Sequence, residues 1–552
     1  MRRNTSGANA SPAGRSHQAI NGANASPAGR SHQAIDGANA ARAKRERGSA
    51  KHKEMARSHQ KTIAPVVFVL LLFLTTSIGS PAAARQSTDP EKIAHVLNRI
   101  GFGARPGDVE RVQKLGIQEY IEQQLCPESI SDTRADEKVS RLASLRLSQH
   151  EIFQQYPEPQ QLARQLGIMN PKQAKPADQP AARARIQEYM KTNMLERPAQ
   201  LLQELVANKI VRGVESERQL QEVMTDFWFN HFNIYWDKGA DRWLTTDFET
   251  NVIRPNTLGK FKDLLLATAQ SPAMLFYLDN HLSSSPGPLV QAALRKNANA
   301  KRQPGINENY ARELMELHTM GVDGGYTQKD VTEVARAFTG WTIDQPRMSG
   351  AFIFRPPMHD RGEKIVLGQR IPANRGVQDG QQVIDILARH PSTARFIATK
   401  LVRRFVSDDP PQSLVGKVAA TYTKTDGDIR EMLRTIFYSH EFMSPDAYGK
   451  KMKSPFEYAV SAIRALGGET GGNPQIAKSI RDMGQPLYQY QPPTGFPDRA
   501  DHWMSDGALV ARLNFAVTLA SGRVPNTKVQ LNGFQDPQAA ALFLGSPNFQ
   551  KR

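Results

Sequence analysis

From residue 90 onward, apolar residues recur at three- and four-residue intervals, and that spacing leaves little room for anything but helices. Ile93, Val96, Leu97 and Ile100 follow i, i+3, i+4, i+7 and stop at Gly101, an apolar stripe closed by a glycine. Pro106 opens a second segment that ends near Gly116, and Ile117–Leu125 forms a third. Leu201, Leu202, Leu205 and Val206 mark another helix, and Leu220, Val223, Met224, Phe227 and Trp228 a strongly amphipathic one. Asp426 is placed as the N-cap of a helix carrying Ile429, Met432, Leu433, Ile436 and Phe437. The β-prone exception is 351–368, where two short runs flank a turn and predict a small hairpin. Alternating strand and helix patterns are absent, which argues against a dinucleotide-binding or α/β-hydrolase fold. The expectation is a mostly α protein: one large multi-helix unit over 85–552 with one small β-hairpin near 351–368. Polar, Pro- and Gly-containing stretches at 156–182, 282–306 and 468–500 read as surface excursions or lids.

The first 84 residues have a different character. Residues 7–21 and 22–36 are the same 15-residue unit apart from Asn21 against Asp36, and GANA at 37–40 begins a third. A unit of Gly, Ala, Asn, Ser and Pro has no apolar face to offset its ordering entropy, so 1–54 is expected to be a disordered or untranslated leader. Met55, basic Arg57 and Lys61, the apolar run Ile63–Leu74 and the Ala-x-Ala ending at Ala84 describe a signal peptide over 55–84. The run is too short for a comfortable membrane span of about 20 residues. A periplasmic or secreted location follows as the expectation, with transient membrane contact through that segment; the alternative is an inner-membrane anchor left uncleaved. Of the formal charge of +17, only +8 belongs to residues 85–552, which hold 59 basic and 51 acidic residues. That modest excess, without a basic stripe interleaved with aromatics, argues against nucleic acid as a partner. The single Cys126 excludes an intrachain disulfide framework and any multi-cysteine metal site.

The densest polar constellation runs from Asn307 to His318. Asn307 reads as an N-cap, and Glu308, Arg312 and Glu316 form an i, i+4, i+8 ridge with the favourable Glu-before-Arg order. Tyr310, Leu314 and Leu317 form the apolar stripe, with His318 beside Leu314 and Met315. Thr327 to Asp330 reads as a capping box for the next helix, after a Gly324-Gly325 turn. One reading makes these charges an ion-pair ladder that anchors a helical hairpin. The other makes Glu313, Glu316 and His318 ligands of a divalent metal ion or acid–base groups, with His231 as a further candidate ligand. Glu316 and His318 point about 200° apart on an α-helix, so both cannot bind one ion undistorted. His231, on the apolar face of its helix, is either a buried core histidine or a general base. His359-Asp360 at the expected hairpin turn is either an exposed turn pair or a catalytic pair, although no nucleophile elbow accompanies it. Trp228, Trp236, Trp243 and Trp341 line either the core or a sugar-binding cleft.

Several motifs occur together and in order. They are HVLNRIGFGARPGDVERVQKLGIQEYIEQQL at 95–125, FWFNHF at 227–232, NENYARELMELHTMGVDGGYTQKDV at 307–331 with ARAFTGW at 335–341, and HDRGEKIVLG at 359–368. KSPFEYAVSAIRALG at 453–467, QPPTGF at 491–496, ALVARLNFA at 508–516 and GSPNFQ at 545–550 follow. Through them the chain resembles, from 85 to its last residues, the bacterial domain-of-unknown-function family 1800. Phe496 departs from the pattern, which has Trp there. The resemblance implies an exported bacterial protein acting at the cell envelope or on extracellular polymer. It also implies a secreted partner resembling sulfatases and alkaline phosphatases, often encoded nearby. No catalytic residue comes with it.

Two functions fit these observations. One is a scaffold or binding subunit for the sulfatase- or phosphatase-like partner, with the long loops as contact surface. The alternative is a periplasmic hydrolase-like or metal-dependent enzyme using the Glu308–His318 helix, with His231, His359 and Asp360 as further candidates. In that version Arg312 binds an acidic group and a Glu or His acts as base.

Overall fold

The computed structural model describes residues 89–168, 179–285, 287, 305–346, 348–531 and 533–552. The repeat-containing leader, the expected signal peptide and most of the 282–306 excursion lie outside the described residues. Helices form in chain order as α1 (Pro90–Ile100), α2 (Asp108–Leu115), α3 (Ile117–Leu125), α4 (Pro198–Glu215), α5 (Gln219–His231) and α6 (Asp241–Asp247). Next come α7 (Glu308–Glu313), α8 (Gln328–Ala337), strands β1 (Trp341–Asp344), β2 (Ala351–Phe354), β3 (Lys364–Val366) and β4 (Gln369–Ile371), and α9 (Val377–Ala388). The chain continues with α10 (Pro391–Phe405), α11 (Ile429–Phe437), α12 (Pro455–Ala465), β5 (Glu469–Thr470), α13 (Asp506–Ala520) and β6 (Thr527–Lys528). Further helices, among them Gln179–Thr192, Phe261–Gln270 and Gln412–Lys424, join these elements. Among the described residues helix dominates, and the strands form three two-stranded antiparallel ribbons. Among the described residues, no helix is long and apolar enough to cross a membrane.

The periodicities translate directly into burial. In α1 the stripe Ile93, Val96, Leu97 and Ile100 is buried, Asp89 caps the N-terminus through Glu91 N–H, and Gly101 closes the helix. In α5, Leu220, Val223, Met224, Phe227 and Trp228 all enter one continuous core shared with α1, α3, α10, α11 and α12. The capping box at Thr327 and Asp330 forms on α8. The cap of α11 sits two residues later than its spacing suggests. Asp428, in an extended conformation, accepts from Glu431 N–H at 3.1 Å, whereas Asp426 takes φ +52° and Gly427 φ +73° to turn the chain. An N-cap needs extended backbone, so the left-handed Asp426 cannot fill the role.

The 351–368 segment also folds differently from the simple hairpin expected there. Both β-prone runs are strands, but they do not pair with each other. β2 pairs back with β1, Phe354 opposite Trp341, and β3 pairs forward with β4. The buried Trp341 and the tight Leu367-Gly368 turn, both residues at positive φ, provide each run with a nearer partner.

A π-helical stretch, Leu314–Thr319, follows α7 without a break. The Met320 amide reaches back to the Met315 carbonyl and the Thr319 hydroxyl donates to the Leu314 carbonyl at 2.7 Å. The wider turn takes Glu316 off the expected ridge.

Candidate functional site

The motifs FWFNHF, KSPFEYA and QPPTGF converge on one cleft of about 260 Å³. The end of α5 forms its floor. There Asn230 grips the 485–503 loop at both backbone atoms of Phe496: its amide donates to the Phe496 carbonyl and its oxygen accepts the Phe496 N–H, each at 2.8 Å. Asn233 donates to the carbonyls of Tyr490 and Pro492 at 2.9 and 2.8 Å, and the Tyr277 hydroxyl donates to Gln491 at 2.5 Å. A loop far away in sequence thereby becomes a fixed wall, with Tyr490, Phe496 and Trp503 lining the cleft.

Helix α10 supplies the charge. Lys400, Arg403 and Arg404 stand at i, i+3 and i+4, on one face, and all three line the cleft. Arg404 pairs with the buried Glu457, which Arg552 also approaches at 3.3 Å. Lys451 bridges Asp408 and Asp498 at 2.5 and 2.8 Å. Lys209 pairs with Asp226 at 2.8 Å. Lys400 is different: it forms no ion pair among the described residues, and burial lowers its ammonium to about 8 despite the field of Asp498. Burial alone would push Glu457 up, but Arg404, Arg552 and the Ser454 amide hold it down at about 2. The lining therefore carries Lys209, Lys400, Arg403, Arg404 and Arg499 against Asp226, Glu457 and Asp498.

Of the candidate catalytic and metal-binding residues read from the sequence, one lines this cleft. His231 does so, buried, with Nε2 3.0 Å from the His318 carbonyl oxygen. His318 is buried behind it, ring centroids 6.2 Å apart. Burial and the nearby Lys400 charge push both imidazoles below their ordinary range, His318 to about 3, so both are neutral. Glu308 and Arg312 lie elsewhere, in a polar network between α7 and α8. They pair at 3.7 Å, Gln328 and Thr332 donate to Glu308, and Arg312 donates to Gln328. That is the ladder reading of the hairpin. Glu316 accepts from the Tyr326 hydroxyl at 3.2 Å. Glu313 is half-buried, and burial together with Glu316 raises its carboxyl. Among the described residues no three His, Cys, Asp or Glu side chains stand where they could hold a metal ion, so Glu313, His318 and His231 form no donor set. Of the tryptophans, Trp228, Trp243 and Trp341 are buried in the core, Trp236 packs partly buried against it, and Trp503 alone lines the cleft.

His359 and Asp360 belong to a second cluster, and His359 is buried rather than at an exposed turn. Its Nε2 lies 3.2 Å from Asp379, which also accepts from Lys364 Nζ at 2.7 Å. Asp360 accepts both arms of Arg336 at 3.0 Å. These bonds pin the 355–364 loop to α8 and α9. Because Asp379 and Lys364 are both buried, Asp379→Asn is expected to cost about 1.5–3 kcal/mol, the worth of a hydrogen bond to a charged group. Urea unfolding measures the loss, and an unchanged midpoint contradicts the assignment.

The cations of α10 escaped the motif reading because Lys400-Leu-Val-Arg403-Arg404 looks like a solvated helix edge. Their i, i+3, i+4 spacing was the available signal. No curated protein and no solved structure matches the chain. A family model described as "Protein of unknown function (DUF1800)" matches residues 95–551, spanning every element that builds the cleft. The protein belongs to that family.

Proposed function

We propose that this protein is an exported binding subunit whose cleft takes an acidic group of an extracellular polymer and holds it for a secreted sulfatase- or alkaline phosphatase-like partner. The observation that carries the reading is the cation row on α10, with Lys400 in no ion pair among the described residues. An ammonium partly withdrawn from water without an ion-pair partner is costly, and an incoming sulfate, phosphate or carboxylate supplies that partner. Export and the partner rest on the signal-like segment and the family resemblance.

Calorimetry on residues 85–552 with dextran sulfate against dextran tests the binding. Dextran sulfate is expected to bind and dextran not, and K400A/R403A is expected to weaken binding by about 100-fold, roughly two charge-assisted hydrogen bonds. The pH dependence has a definite sign. Lys400 is charged below about 8 and loses its proton as pH rises through that value, so affinity falls between pH 7 and 9, where an ordinary lysine stays charged. Equal retention of the two polymers, or an affinity flat to pH 9, contradicts the reading. The partner is tested by its desulfating activity on the bound polymer, expected to drop when K400A/R403A replaces the wild type.

A further inference from the structure

His231 brings a different chemistry to the same cleft. Its Nε2 faces the His318 carbonyl, and a carbonyl only accepts, so Nε2 carries the proton and Nδ1 keeps the lone pair. Nδ1 is buried and has no hydrogen-bond partner. The ring is held among Trp228 and Phe232, with centroids at 5.4 and 4.5 Å, and Phe396 closes a third side at 6.3 Å. It therefore cannot swing out to find a donor elsewhere. The neighbouring side-chain amides are already committed, Asn230 and Asn233 being spent on the backbone of the 485–503 loop. Lys400 offers a cation in the same space. The aromatic wall completes the set, Phe496 lying 4.1 Å from Tyr490 and 5.6 Å from Trp503 by ring centroids.

A bare inorganic anion uses the cations and leaves both the acceptor and the apolar ring faces unused. A neutral sugar uses the acceptor and the rings and leaves the cations unpaired. We infer that His231 Nδ1 accepts a hydrogen bond from a ligand hydroxyl beside the acidic group, so that the cleft selects an acidic sugar such as a uronic acid unit. The inference rests on the anion-binding reading above and narrows its ligand class to carbohydrate acids.

Three probes separate the two readings by calorimetry on residues 85–552: tetragalacturonate, the hydroxyl-free tricarboxylate tricarballylate, and neutral maltotetraose. Tetragalacturonate is expected to bind at least about tenfold more tightly than tricarballylate, one net hydrogen bond, and maltotetraose weakest of all. His231→Phe is expected to bring the two acids to within about twofold of each other in affinity. Trp503→Leu, which leaves the buried imidazole untouched, is expected to reduce the same preference. Equal affinity for the two acids in the wild type, or an undiminished preference in both variants, overturns the inference and leaves anion binding standing. Binding of neither acid overturns both.

Discussion

Replacing Glu457 with alanine is expected to lower stability by about 3–5 kcal/mol, because it strands buried cations rather than removing a surface pair. Glu457 lies between Arg404 and Arg552, both buried, and also closes the capping box of α12 by accepting the Ser454 N–H at 2.8 Å. Loss of that cap adds about 1 kcal/mol. The pH dependence follows from the lowered carboxyl. Glu457 titrates near 2 in the fold against an ordinary 4.5, so its contribution is complete above about pH 5 and disappears as pH falls toward 2. The wild type and Glu457→Ala should therefore differ most in urea midpoint near neutrality and converge at acid pH. A difference that persists at pH 2, or is missing at pH 7, rules out this account.

The helical character of the chain was legible because burial follows spacing: Ile429, Met432, Leu433, Ile436 and Phe437 are all buried, as their intervals require. The Thr327–Asp330 box was legible for the same local reason. What stayed hidden depends on partners. Nothing within 314–319 distinguishes a π turn from an α turn, so the Glu316 position was misplaced by its ideal periodicity. The β-prone run at Phe354 does not name its partner, and Trp341 lies outside the window that contained the expected hairpin. The cleft was the least legible of all. His231 was readable as a buried histidine, but only tertiary packing turns Lys400, Arg403 and Arg404 inward.

Gly495→Ala is expected to take the cleft apart while leaving the helical body folded. Gly495 has φ +68°, and a Cβ there would lie 2.1 Å from the Asn230 carbonyl oxygen and 2.8 Å from its side-chain oxygen. The first contact is with backbone and cannot yield by a rotamer change, and the conformation itself costs an L-residue about 1–2 kcal/mol. Relief requires the loop to move off α5, breaking the paired Asn230–Phe496 bonds and displacing Phe496 and Trp503 from the cleft. Binding of an acidic oligosaccharide is expected to fall by at least about tenfold, the worth of those contacts. Limited proteolysis is expected to begin within 485–503 while far-ultraviolet circular dichroism stays unchanged. An alanine variant that binds normally and resists protease there shows that the wall is not held by this contact.

The grip of Asn230 on Phe496 spans 266 positions. At a synthesis rate of about 5–20 residues per second, the floor of the cleft waits on the order of 10–50 s for its wall to be made. Throughout that interval the α5 segment, with Leu220, Val223, Met224, Phe227 and Trp228 on its apolar face, has no loop to cover its end. A chain cut short before residue 485 carries the segments of α1–α12, with Lys400, Arg403 and Arg404, but lacks α13 and the wall of the cleft, so ligand binding reports on complete synthesis more sharply than helix content does.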